Sequence, residues 1–328
     1  MSALSVLFVG GTGKISSACV ARALEASMDV FVLNRATTTA RPLPAGVTTI
    51  KADIRDAASV RCALGQREFD VVADFVVMTE EHVLQDIEIF GGRTAQYVFV
   101  SSASAYQKPV ARLPIVESTP LCNPFWQYSR DKIACEGLLA DAYRATGFPV
   151  TVVRPSHTYD KTMVPFDGGW TVVERMRRGK PVVVHGDGTS LWTLTHHDDF
   201  ARAFVALLGN PQAVGDTFHV TSDEVLTWNQ IHEIVARAAG AEPRLVHVSS
   251  ETIATVLPEW GPGLLGDKSH CLVFDNTKIR RVAPGWEATI PFSRGAREVV
   301  EWFDGDPARR AVDPRVDEAM DALTAGCS

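Results

Sequence analysis

Short apolar runs alternate with longer amphipathic stretches through the first half of the chain, and that alternation predicts a parallel sheet wound by helices. Residues 4–9 read as a first strand and 15–27 as the helix after it, with Ala18, Val20, Ala21 and Leu24 at apolar positions. Further strands are predicted over 30–33, 48–51, 71–76, 96–100 and 150–153, and a helix over 128–146. The strand runs are nearly continuous in apolar and β-branched residues, as suits strands covered on both faces.

Beyond Arg154-Pro155 the pattern loosens. A helix is predicted over 172–178, a turn at Gly186-Asp187-Gly188, a helix over 196–208 and a strand over 218–221. An amphipathic helix follows over 228–239, then Pro- and Gly-rich loops over 258–266 and two more helical pieces. There is no internal repeat or low-complexity tract. One dinucleotide-binding domain is expected over 1–153 plus about 196–221, and a substrate-binding lobe over about 154–195 and 222–328.

The bulk composition narrows the classes. With 328 residues, 46% of them hydrophobic, the chain can bury a large core. Lys and Arg number 32 against 39 Asp and Glu, a net charge of −7. That balance carries no footprint for nucleic acid and no polybasic membrane patch. Cys19, Cys62, Cys122, Cys135, Cys271 and Cys327 show no C-x-x-C spacing, so neither zinc nor a disulfide framework is indicated. Ser5-Val6-Leu7-Phe8-Val9 begins without the layout of a signal peptide, and no apolar run approaches a membrane span. A soluble, cytoplasmic protein is expected.

The first strand ends in Gly10-Gly11-Thr12-Gly13-Lys14-Ile15-Ser16. A strand feeding a glycine turn and a helix start offers backbone N–H groups and a positive dipole end to a pyrophosphate. Gly10 permits the tight turn, Gly13 allows close approach of the phosphates, and Lys14 and Ile15 open the helix beside them. The position usually held by a third glycine is Ser16, a modest compromise where a small side chain is needed. The fold expected is therefore α/β, a Rossmann doubly wound parallel sheet with a smaller C-terminal substrate lobe.

After the second strand, Asn34-Arg35 stands where an acidic residue would grip ribose hydroxyls and repel a 2′-phosphate. With Lys14 and Arg41 nearby, NAD(P) is the expected cofactor and NADP the favoured form. Asp53, followed by Ile54, is placed to accept a hydrogen bond from the adenine amino group, and Asp56 suits a helix N-cap.

Tyr128 and Lys132 lie four apart, on one helical face. An adjacent ammonium favours the phenolate, which makes Tyr128 a candidate acid/base for a substrate hydroxyl. Ser101-Ser102-Ala103-Ser104-Ala105-Tyr106 follows the fifth strand at the carboxyl edge of the sheet, where ligands of such sheets bind. A serine hydroxyl there holds the reacting oxygen in line with Tyr128.

With these motifs the chain resembles the short-chain dehydrogenase/reductase superfamily, in its extended branch of sugar epimerases and dehydratases. Supporting residues are Gly10-Gly11-Thr12-Gly13, Asp53, Ser101-Ser102 with Tyr106, Tyr128/Lys132, Val153-Arg154-Pro155 and His196-His197-Asp198-Asp199. The resemblance runs through Asp275-Asn276-Thr277-Lys278 and Pro284-Gly285-Trp286. It implies Ser102, Tyr128 and Lys132 as the catalytic set, Gly10, Gly13 and Asp53 as cofactor contacts, and a homodimer through a bundle that includes the Tyr128 helix.

Two departures bear on substrate. The extended enzymes of nucleotide-diphosphate sugars carry an arginine before the His-x-x-Asp element and a second before the Asp275 segment. Here Trp192 takes the first place, and Leu264, Leu265 and Lys268 occupy the second region. A tryptophan stacks on a sugar or base, or packs in the core, but does not neutralise phosphates. The short 78–93 segment is similar to the chloroplast stem-loop RNA-binding branch of the superfamily, whose members often lack the tyrosine kept here.

Ser104, His157 and Trp192 are the substrate candidates. The paired His196 and His197 carry no metal expectation, since neighbouring helical side chains diverge, and Asp199 reads as a cap or structural tie. The function expected is NAD(P)-dependent hydride transfer on a hydroxyl or ketone of a small sugar-like substrate, as an oxidoreductase or epimerase. The alternatives are a non-catalytic NADP sensor or RNA-associated protein, and a nucleotide-diphosphate-sugar epimerase or dehydratase. Ala103 and Ser104 after Ser102 disfavour dehydration, which uses a carboxylate pair there.

Overall fold

The computed structural model describes residues 3–36 and 41–325; Cys327 lies outside them. Seven strands form the main sheet: β1 (Ser5–Val9), β2 (Asp29–Asn34), β3 (Thr48–Lys51), β4 (Phe69–Asp74), β5 (Thr94–Val100), β6 (Val150–Pro155) and, much later, Thr217–Val220. Between these last two come β7 (His157–Tyr159), β8 (Pro181–His185), β9 (Leu191–Trp192) and β10 (Leu194–His196), which makes Thr217–Val220 β11. The sheet order is β11-β6-β5-β4-β1-β2-β3, and every pairing in it is parallel. The order reverses between β1 and β4, where a doubly wound sheet opens a crevice at its carboxyl edge.

Helices cover both faces, which explains the continuous apolar strands. On one face α1 (Ser16–Glu25) lies with the helix His197–Leu207, burying Ala18, Val20, Ala23, Phe200 and Phe204 against Val6, Phe8 and Val32. The other face carries α2 (Ala57–Leu64), α3 (Glu80–Phe90) and α4 (Gln127–Thr146), whose Leu64, Val83, Ile89 and Leu139 meet Leu7, Val72 and Phe99. A third apolar cluster is built mostly from residues beyond 158 around Trp170, Trp192 and Trp228.

Several predicted boundaries move for identifiable reasons. The fourth strand is Phe69–Asp74 rather than 71–76, because the Asp74 carboxylate takes the N–H groups of Val76 and Val77 and so ends the ladder. The first helix stops at Glu25 instead of 27, where Ser27 turns to φ 61°. His196 caps its helix by accepting from Asp198 N–H, so that helix starts at His197. The 258–266 stretch, read as loop, winds through successive helical turns ending in a π-type turn, Leu264–Lys268. The parallel pair of β8 with the strand Arg244–Val248 was not anticipated. Of the described cysteines, all five are free thiols, and no described helix is long and apolar enough to cross a membrane.

Candidate active site

The crevice holds two adjoining cavities. One, of about 480 Å³, runs along the ends of β1–β3 and is lined by Gly10, Gly13, Asn34, Arg35, Asp53 and Ile54. The other, of about 640 Å³, starts at the same glycine turn and is lined by Ser102, Ser104, Tyr128, Lys132, His157 and Trp192. Lys14 and Ile15 lie on its wall. All the singled-out residues therefore border one continuous crevice.

The glycine turn is shaped for a phosphate-bearing ligand. Gly10 sits at φ 83° with its N–H on the Leu33 carbonyl, and a Cβ there would stand 2.4 Å from Val76 Cγ1. No side chain caps the start of α1, where Ser17 N–H is taken by the Gly13 carbonyl at 3.1 Å. Ser16 does more than the sequence suggested: its hydroxyl accepts from Gly13 N–H at 2.8 Å and donates to the Gly10 carbonyl at 2.6 Å. Gly13 N–H is thereby committed inside the turn. The close helix–strand contact expected of a third glycine falls to Gly11, where a Cβ would meet Val32 at 2.8 Å. Gly10→Ala is expected to lower nicotinamide dinucleotide affinity at least tenfold, read by NADPH fluorescence titration; unchanged affinity would remove the turn from the cofactor site.

At the adenosine end, Asn34 accepts from Ala36 N–H at 3.0 Å, and Asp53 accepts from Arg55 N–H at 3.0 Å while Asp56 caps α2. Arg35 is exposed. Arg41, counted above as free positive charge, is paired with Asp160 at 2.7 Å, so its contribution is largely neutralised. Arg55, which sequence reasoning passed over, lines the same cavity. These residues fit a dinucleotide: a glycine cradle that a side chain would fill, an uncapped helix start and an adenosine-sized recess.

Tyr128 and Lys132 sit on the first turns of α4. The Lys132 ammonium donates to the carbonyls of Val77 (2.6 Å) and Val100 (2.9 Å) and stands 5.8 Å from the centre of the Tyr128 ring. Burial pushes it down to about 8, against the opposing pull of Cys135, Asp74 and Glu136. The phenol is not lowered, as the spacing alone led us to expect. Burial raises it, the Ser102 hydroxyl opposes this, and the charge of Asp267 adds to it. In this apolar wall desolvation outweighs the Ser102 hydrogen bond.

Ser102 and Ser104 form a short hydroxyl chain. Their Oγ atoms lie 2.9 Å apart, and Ser129 Oγ donates to Ser104 Oγ at 2.8 Å. Two turns further along α4, Glu136 accepts from Ser101 Oγ (2.5 Å) and from Arg154 Nε (2.9 Å). Arg154 also lies 4.8 Å over the Tyr106 ring. This buried network fixes β5, β6 and α4 to one another, and so sets Ser102 relative to Tyr128.

His157 accepts at Nδ1 from Trp192 Nε1 at 3.2 Å, which leaves its proton on Nε2. Burial, reinforced by Lys268 and Lys14, pushes this imidazole down to about 3, so it is neutral at ordinary pH. Trp192 is only 2% exposed and packs against Trp228, so it offers little face for stacking. The ring and carboxylate atoms of His196, His197 and Asp198 converge within 4.8 Å, contrary to the expected divergence. His196 is nonetheless spent, with Nδ1 on Asp198 N–H and Nε2 on Glu298. Asp199 is a tie, holding Arg202 and the N–H of Ile290. Residues not foreseen on the wall are Trp126, Asp267 and Lys268.

The crevice of this doubly wound sheet therefore joins a glycine turn, a recess at the ends of β1–β3 and a serine–tyrosine–lysine wall. Residues 77–221 match the model of the NAD dependent epimerase/dehydratase family. Over 306 residues the chain is 28% identical to 2'-dehydrokanamycin reductase of Streptomyces kanamyceticus, covering 92% of this chain and 84% of that protein. It is 29% identical over 199 residues to the chloroplast stem-loop binding protein of 41 kDa b of Arabidopsis thaliana, covering 60% of this chain and half of that one. An epimerase structure from Methanothermobacter thermautotrophicus superposes with a TM-score of 0.77 at 16% identity, over 94% of each chain. The chain is thus similar to members of the NAD-dependent epimerase/dehydratase family, over residues 77–221 by the family model and over 92% of its length by the reductase.

Proposed function

We propose that this enzyme is an NADP-preferring reductase of a ketone on a small sugar-like molecule, with Ser102, Tyr128 and Lys132 as its catalytic set. One observation carries the reading. These three residues share a cavity wall with the glycine turn, while Trp192 and Leu264–Lys268 occupy the positions at which the resemblance expects diphosphate-binding arginines. Similarity along nearly the full length to a reductase of an antibiotic ketone supports the same direction.

The dinucleotide, when bound, supplies the hydride. The chain's own residues handle the oxygen. Ser102 holds the carbonyl oxygen, and Tyr128 gives it the phenolic proton as the carbon is reduced. Lys132, fixed by two carbonyls, keeps a cation beside the phenol so that the resulting phenolate is not stranded in an apolar wall. His157 donates from Nε2 toward the same cavity, with Trp192 fixing its tautomer. In this reading 1–153 with about 196–221 carries the cofactor, and the rest shapes the substrate side.

The test is NADPH oxidation with a panel of ketones: 2'-dehydrokanamycin, simpler keto-sugars and a UDP-4-keto-sugar. Turnover of a free keto-sugar, and none of the UDP compound, is the expected pattern; turnover confined to the UDP compound would install the nucleotide-sugar reading instead. Arg35 carries the cofactor preference, since it is exposed at the rim of the adenosine recess. Arg35→Asp is expected to shift the ratio of kcat/KM for NADPH over NADH by about tenfold toward NADH. An unmoved ratio would place the 2′-phosphate elsewhere.

A further inference from the structure

We propose that Asp267 is the substrate-reading residue of this cavity: its carboxylate accepts a hydrogen bond from an amino or hydroxyl group of the substrate and rejects phosphorylated ligands. The inference rests on taking the Tyr128 cavity as the substrate site. Asp267 lines that cavity, and its charge is felt by the Tyr128 phenol. Its Oδ1 is closed to solvent and faces Lys108, with Nζ 3.5 Å away, so what the cavity meets is the rest of the carboxylate side chain, 16% exposed. A carboxylate only accepts, and one set in this wall with an unfilled acceptor position on its cavity side is costly to leave so. A donor brought by the ligand fills that position.

The segment that presents Asp267 is pinned from several sides. The neighbouring Lys268 carbonyl accepts from His185 Nε2 (3.0 Å), Ser190 Oγ (2.9 Å) and Trp228 Nε1 (3.2 Å). Asn123 Nδ2 bridges the Gly266 carbonyl (2.7 Å) to the Ser104 carbonyl (2.9 Å), tying this turn to the serine loop. Gly266 packs so close that a Cβ would stand 2.9 Å from Trp126 Cβ. The π-type turn Leu264–Lys268 is thus held at a fixed distance from the reacting wall. The cation of the turn itself, Lys268, is paired with Asp167 at 3.1 Å, so little positive charge is left there for a phosphate.

The protein loaded with NADP⁺ is titrated with glucosamine, glucose and glucose 1-phosphate, and binding is read by saturation-transfer NMR. Wild type is expected to bind both donors and to disfavour the phosphate by about tenfold; preference for glucosamine over glucose identifies the amino group as the donor. Asp267→Asn is expected to weaken glucosamine about tenfold and to erase the discrimination against phosphate, with NADP⁺ affinity unchanged. Because Asn strands the buried Lys108 charge, Lys108→Met/Asp267→Leu serves as the second variant. It removes both charges and is expected to recover thermal stability yet keep the altered selectivity. Binding of the phosphate as well as glucosamine to wild type, no binding of either donor, or unchanged ratios in both variants would overturn the inference. Donor binding without any hydride transfer would instead count against the reductase reading and leave this one standing.

Discussion

Tyr128→Phe should lower turnover by about a thousandfold while NADPH binds nearly as before. The substitution removes one oxygen from a ring that packs at 5.0 Å on Trp126 and sits over the Lys132 ammonium, so the wall keeps its shape. What is lost is the proton donor. The measurement is steady-state NADPH oxidation beside a fluorescence titration of the cofactor. Retention of activity within about tenfold would move the acid/base role to another group, since general acid–base contributions are usually larger than that. Lys132→Met should behave differently. It vacates the two carbonyls of Val77 and Val100, so cofactor affinity is expected to fall together with turnover.

The second large effect concerns stability. Arg154→Met leaves the Glu136 carboxylate buried without its partner, in a place that only 7% of its surface can escape. Breaking such a pair from one side costs about 3–5 kcal/mol. A fall in the thermal midpoint of about 5 °C or more is expected for a chain of this size. Turnover should drop as well, because Glu136 also holds Ser101, next to Ser102. Arg154→Met/Glu136→Leu removes both charges and should recover most of the stability, since replacing a buried pair jointly is often neutral. A single variant as stable as wild type would mean that the pair contributes nothing net to the fold.

Arg154 also shows how the site departs from a linear reading. It is the middle residue of Val153-Arg154-Pro155 and was noted only as part of a resemblance. In the fold it links α4, β6 and the loop at Glu117, whose carbonyl it reaches at 3.1 Å. Its role depends on three segments far apart in sequence.

The sheet, the glycine turn and the face shared by Tyr128 and Lys132 are legible in the residue order. Each follows from local rules: apolar runs of strand length, a glycine needed at positive φ, and a four-residue helical repeat. How those groups behave depends on contacts made in the fold. Ser16 locks the turn because its hydroxyl reaches two glycines at once. Arg41 loses its free charge to Asp160, a contact across 119 residues. The phenol is raised rather than lowered because burial, which no spacing encodes, outweighs the Ser102 hydrogen bond and is reinforced by Asp267. Asp267 reaches the reacting wall only because Asn123 and three side-chain donors hold its turn there. Periodicity fixes which residues share an element; desolvation and long-range hydrogen bonds act between elements, and they exist only once the chain has closed.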